Sequence, residues 1–347
     1  MNKPYCSIII ACYNGEAFLS SAVLSVVHQP MKELEVIIVD DGSTDRTPLI
    51  CEELHCQDPR IKYVSIQNGG AGHARNVGLR LAEGNWTMYL DCDDLFLHNA
   101  LNNQFLEKLK AYEQESVDII YTSRCDVDMK LTREVSIQVA EDVSRKTGVP
   151  KFEIWTAIYN TSFLKRNQIQ FYEFKKQDVE TAFRYLAFSQ AKKTTVDNTM
   201  FFCLHRENPI GNTHTWNLYY LRNIRCRVYY DLYRNHCLKG TEDYLLSVIL
   251  VEISRYFNHC FRDGIYDWKD YEQLLLIRNE LWNRKTCINR IGLPRYVVSS
   301  LQQICVMAIK PKYHRQRKTS DVQRPERYVE PEDLMNRLQT ISKLVCK

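Results

Sequence analysis

Two acidic stretches in this chain each follow a short apolar, β-branched or aromatic run: Asp40-Asp41-Gly42-Ser43 after Glu35–Val39, and Asp91-Cys92-Asp93-Asp94 after Trp86–Leu90. Carboxylates at i and i+2 just beyond a buried strand are costly unless a cation or hydroxyl groups engage them. A hard divalent cation, Mg²⁺ or Mn²⁺, meets that need. It prefers oxygen, takes one or two protein carboxylates, and completes its shell with water and phosphate. Set against a diphosphate, such an ion neutralises charge as a leaving group departs. The Asp40-Asp41-Gly42-Ser43 stretch admits two readings: acceptors for a nucleobase N–H and ribose hydroxyls, or an Asx-type turn. Gly42 allows a sharp bend in either case.

A third stretch, Gly69-Gly70-Ala71-Gly72-His73-Ala74-Arg75-Asn76, places glycines before a helical pattern with Arg75 near its start. A helix N-terminus with a nearby guanidinium attracts anions. The stretch lacks the G-K-[ST] ending of a Walker loop and is not a G-x-G-x-x-G fingerprint, so neither an ATPase nor a dehydrogenase is implied.

The elements that must position these residues alternate strand and helix, the pattern of a parallel sheet wound with helices. Ser7–Ala11 reads as a first strand, and the apolar spacing from Glu16 to His28 as a crossover helix stopped by Pro30. Glu35–Val39 follows as a second strand, and Thr47-Pro48 offers a helix cap with a first-turn proline. A third strand is expected near Lys62–Gln67, a helix from the glycines to Gly84, and a fourth strand over Trp86–Leu90. A helix near Asn99–Glu115 and a strand near Asp118–Thr122 come next, while Arg124–Pro150 reads as two edge strands or a loop. In open α/β sheets, ligands gather at the C-terminal strand ends, where both acidic clusters fall.

At 347 residues the chain is long enough for a core domain and an extension, expected at 1–215 and at a mainly helical 216–347. Apolar residues make up 45% and charged residues 25%, and no apolar run is long enough to cross a bilayer. The net charge of +4 is too small to indicate a nucleic-acid surface. The 13 cysteines are scattered singly, several inside apolar runs, which argues against a zinc site or disulfide framework and for a reducing compartment. The start MNKPYCSIII lacks a secretory pattern, so the cytoplasm is the expected location. Leu301–Lys318 passes from apolar to basic, which reads as a solvated charged face or as peripheral contact with an anionic membrane.

SIIIACYNGEAFLSSAVLSVVHQ, VIIVDDGSTD, QNGGAGHARNVGL and YLDCDD together resemble, in order and spacing, the successive motifs of family-2 glycosyltransferases with the GT-A fold. The likeness is strong over residues 5–98 and returns in EIWTAIYNTSFLKRNQIQF and KKQDVETAF. It implies a Rossmann-like nucleotide-sugar-binding domain, with Ala11 and Tyr13 bordering the nucleobase, Asp41 contacting uracil or its equivalent, and Arg75 supporting the nucleotide. Asp91 is then expected at ribose or sugar hydroxyls and Asp93 at the metal, with Asp94 as a helper. The family's later Glu-Asp pair stands here as Gln177-Asp178, which makes Asp178 the expected general base and departs from the pattern at Gln177. An Asp at a helix start is also a preferred cap. Within LHRENPIGNTHT, Arg206 and His205 match a loop that closes over the diphosphate in the family. The resemblance thus implies inverting transfer from a nucleotide-sugar, a UDP-sugar above all, to a hydroxyl of a glycan or lipid-linked saccharide. A catalytically silent nucleotide-sugar-binding module is the alternative. A sugar-phosphate nucleotidyltransferase would carry a glycine-rich loop after its first strand, where Ala11-Cys12-Tyr13-Asn14 stands instead.

Overall fold

The structure is a computed structural model describing residues 3–128, 130–131, 134–140, 153–173, 180–206, 218–235, 242–263, 273–274, 276–278 and 280–281. Gln177, Asp178, the loop after Arg206 and the basic Leu301–Lys318 segment lie outside the described residues.

The first strands are built from apolar runs buried on both faces, which is what a parallel sheet covered by helices requires. They are β1 (Cys6–Cys12), β2 (Leu34–Asp40), β3 (Ile61–Ser65) and β4 (Trp86–Asp91). Each fully buried Ile or Val in them contributes about 1.5–3 kcal/mol. Helices α1 (Leu19–Val27), α2 (Thr47–Gln57) and α3 (Ala71–Leu81) make the crossovers. Gly78 lets α3 approach β1 closely, because a Cβ there would stand 2.4 Å from Ile9 Cγ2. The expected Thr47 cap is not formed: its hydroxyl instead accepts the Gly15 N–H at 2.8 Å, while Pro48 does sit in the first turn. Helix α3 ends at Leu81, short of Gly84.

After β4 the chain enters β5 (Leu95–Phe96), then α4 (Asn103–Gln114), capped by the Asn102 side chain, and β6 (Ile119–Tyr121). Strands β7 (Arg124–Val127) and β8 (Glu134–Gln138) follow, then a 3₁₀ turn at Ile154–Thr156, β9 (Ala157–Asn160) and α5 (Thr161–Arg166). Helix α6 (Glu180–Gln190), β10 (Thr194–Val196) and β11 (Cys203–Arg206) complete this unit. A seven-stranded sheet runs β10-β6-β9-β4-β1-β2-β3, parallel except for β9, which pairs antiparallel with both neighbours. A four-stranded sheet runs β5-β11-β7-β8 around a core of Leu95, Leu97, Cys125, Val127, Leu131 and Leu204. The acidic turn 91–94 is therefore the link from the large sheet to the small one.

The described residues fall into two compact units, 3–206 and 218–281. In the second, α7 (Leu218–Asn235) and α8 (Glu242–Asp263) pack on each other, with Leu245, Leu246, Ile249, Leu250, Ile253, Tyr256 and Phe257 buried at helical spacing. Among the described residues, no helix is long and apolar enough to cross a membrane.

Candidate active site

Register brings the sequence candidates to one edge. Ala11 at the end of β1 pairs with Val39 on one side and Asp91 on the other, and Cys12 pairs with Asp40. The C-terminal ends of three adjacent parallel strands thus set the Asp40-Asp41 turn, the start of the loop carrying Tyr13, and the 91–94 turn side by side.

The loop after β1 is stitched to the loop after β2. Asn14, at φ 54°, donates its N–H to Ser43 Oγ at 2.8 Å and accepts the Thr44 N–H on its side-chain oxygen at 2.8 Å. This leaves Tyr13 49% exposed at the rim. Asp40 closes the turn in the Asx manner, accepting the Ser43 N–H at 3.0 Å and the Ser65 hydroxyl at 3.3 Å. Gly42 has φ 71°, and a Cβ there would stand 2.9 Å from the Asn68 nitrogen. Asp41 is buried, and its two oxygens accept the N–H groups of Gly69 at 2.7 Å and Gly70 at 2.8 Å. The anion drawn to the start of α3 is therefore the protein's own carboxylate.

Helix α3 carries Arg75 into the site. Its guanidinium is 7% exposed and gives Nη2 to Asp91 Oδ1 at 2.7 Å and to Glu180 Oε1 at 3.0 Å, over the ring of Phe171 at 5.4 Å. Burial works against the charge, but Glu180 and Asp91 outweigh it and hold Arg75 above the ordinary arginine range. The next residue, Asn76, is buried and clasps the backbone of Phe171, donating to its carbonyl at 2.9 Å and accepting its N–H at 2.9 Å. Sequence reading singled out neither Asn76 nor Glu180. The available signals were an amide in the interior of an apolar helix face and an acid in the first turn of α6.

The other end of the acidic turn behaves differently. Asp94, expected as a metal helper, is fully buried and its carboxylate is engaged within the protein. It accepts His205 Nδ1 at 3.0 Å and the Arg206 N–H at 3.0 Å, because β5 and β11 pair antiparallel with Leu204 opposite Leu95. Burial raises the Asp94 pKa to about 6 despite His205. Burial also disfavours the charge on His205, but Asp94 overcomes it and raises the imidazole to about 9. The His205 ring stacks on Trp155 at 4.8 Å. Arg206 is 2% exposed and lies over Phe18 at 5.2 Å; its Nε and Nη2 find no acceptor among the described residues. Burial lowers its pKa, opposed by Asp94 and Asp93.

Among the described residues, no group of three or more His, Cys, Asp or Glu side chains forms a metal cage. Asp91 and Asp93, both half-buried, still suit Mg²⁺ or Mn²⁺, which needs only one or two protein carboxylates when phosphate supplies other oxygens.

A mostly parallel sheet with acidic residues at its C-terminal edge and an acidic turn leading into a second small sheet is the GT-A architecture. The model described as glycosyl transferase family 2 matches residues 7–176, and over that stretch, just under half of its length, the chain is similar to that family. The uncharacterized glycosyltransferase EpsJ of Bacillus subtilis is 26% identical over 218 residues, 59% of this chain and 62% of the relative. An uncharacterized glycosyltransferase of Haemophilus influenzae is 38% identical over 105 residues, 30% of this chain and 42% of the relative. Each match thus spans less than two thirds of the relative. Among solved structures, S. aureus TarS 1–349 in complex with UDP-GlcNAc has a TM-score of 0.58 at 22% identity, covering 82% of both chains, a likeness of fold.

Proposed function

We propose that the chain is an inverting glycosyltransferase that moves a sugar from a nucleotide-sugar, a UDP-sugar, to a hydroxyl of a glycan or lipid-linked saccharide in cell-surface polysaccharide synthesis. The observation that carries this reading is the register of β2, β1 and β4, which sets Asp41, Ala11 and Asp91 side by side at one sheet edge. The UDP-GlcNAc bound by the similarly folded TarS supports the choice of donor.

In this reading Ala11 and Tyr13 border the base and Asp41 contacts it. Asp91 orients ribose or sugar hydroxyls. Asp93 holds a divalent cation, whose chemistry is to neutralise the departing diphosphate. Arg206, a buried cation with two donors unanswered among the described residues, adds fixed positive charge at the same edge and needs no reorganisation as the leaving charge develops. Asp178 takes the proton from the acceptor hydroxyl on the opposite face of the sugar. A single displacement with one base opposite the leaving group inverts the anomeric centre.

The test is release of UDP from UDP-sugars with a panel of saccharide acceptors, in wild type and Asp178→Asn. The expected outcome is near-normal donor KM with kcat lowered about a thousandfold or more in the variant. Retained transfer would remove Asp178 as base, and absence of turnover by the wild type, with UDP still bound, would favour a silent binding module.

A further inference from the structure

We infer that Glu180 is a positioning residue for transfer: it shares the guanidinium of Arg75 with Asp91 and so sets the carboxylate offered to the donor, an inference that rests on the nucleotide-sugar reading of this site. One nitrogen, Arg75 Nη2, serves both acids, at 2.7 Å from Asp91 Oδ1 and 3.0 Å from Glu180 Oε1. A guanidinium NH₂ has two hydrogens, so each carboxylate limits what the other receives. Arg75 has little room to adjust. It lies over Phe171, which stacks on Phe183 of α6 at 3.9 Å with the rings 2° from parallel, and Asn76 fixes the Phe171 backbone. Tyr89 of β4 contacts both rings edge-on, at 5.3 Å and 5.7 Å.

Two carboxylates thus draw on one Arg75 nitrogen, and the Asp91 side chain beside it stays 31% exposed. With Glu180 neutral, Asp91 has the Arg75 charge to itself, and its carboxylate is drawn more tightly onto the fixed guanidinium. That closure would withdraw the oxygen meant for a sugar or ribose hydroxyl. Glu180 is also the first residue of α6, and Asp178 stands two residues before it in the chain. The same ion pair therefore ties the start of that helix to the donor edge.

The experiment measures kcat and donor KM with UDP-sugar for Glu180→Gln, Glu180→Asp, Asp91→Asn and the double variant Glu180→Gln/Asp91→Asn, with Tm read on each ligand-free protein. For Glu180→Gln the expected result is a fall in donor kcat/KM of about tenfold or more, beyond any change in the folded fraction. Glu180→Asp, which keeps the charge, recovers part of that fall. In the Asp91→Asn background the Glu180 substitution has little further effect, since its influence runs through Asp91. An unchanged kcat/KM in Glu180→Gln, or effects that simply multiply in the double variant, would overturn the inference. If Glu180→Gln does not fold, Glu180→Asp decides: a smaller fall of the same sign supports the role, and no fall removes it. Failure of the underlying reading shows separately, as a wild type that turns over no UDP-sugar.

Discussion

Asp91 and Asp94 lie three residues apart in one turn, yet Asp91 keeps 31% of its side chain exposed and Asp94 keeps none. At the Asp91 end two carboxylates share one guanidinium nitrogen, and part of Asp91 stays exposed to a ligand. At the Asp94 end one fully buried carboxylate is taken up by an imidazole and a backbone N–H, out of reach of solvent. The first arrangement is under-satisfied in the way binding sites are; the second is a closed staple between β5 and β11. Identical side chains in one turn are thus divided between chemistry and architecture by which sheet each one faces.

The largest effect should follow from breaking the staple. Asp94→Ala leaves the half-buried His205 and the buried Arg206 N–H without their shared acceptor, and leaving a buried donor unsatisfied costs about 1–3 kcal/mol. Urea denaturation should show that loss, whereas a change below about 1 kcal/mol would mean that the two ends of the turn do not differ as described.

A smaller effect lies in pH. With the folded-state pKa of His205 raised to about 9 from its ordinary 6.5, the stabilisation it contributes is complete below about pH 6.5 and is lost as pH rises through about 9. Groups near the ring work in both directions, Asp94 and Asp126 favouring its charge and Arg124 opposing it. His205→Gln should therefore flatten the decline of Tm between pH 6.5 and about 9 relative to wild type. Parallel Tm curves would show that the pair carries no shared charge.

The large sheet was legible because β1, β2 and β4 are continuous apolar runs, which burial on both faces demands. The acidic clusters at the ends of β2 and β4 followed from the same reading, while Ala11 and Tyr13 came from the family resemblance. The small sheet was legible only in part: β7 and β8 stand where Arg124–Pro150 reads as two edge strands or a loop, but β5 has two residues and β11 four, too short for a periodic signal, and their pairing joins segments about 110 residues apart. Strand β9 was missed likewise, because four residues inserted between β4 and β6 show no pattern of their own. Asp94 was read as a metal helper since its burial depends on that hidden pairing. Glu180 was passed over because its partner Arg75 is 105 positions earlier in the chain, a contact that exists only once α3 and α6 meet at the sheet edge.

The open end of the turn makes the central claim, and thermal unfolding with UDP in the presence and absence of Mn²⁺ tests it most directly. UDP should raise Tm, Mn²⁺ should increase that rise, and Asp93→Ala should abolish the share due to the metal while leaving the ligand-free Tm near that of wild type. A rise with UDP that is indifferent to Mn²⁺ in wild type, or a Mn²⁺ share that survives in Asp93→Ala, would contradict the assignment of this edge as a metal-assisted nucleotide-sugar site.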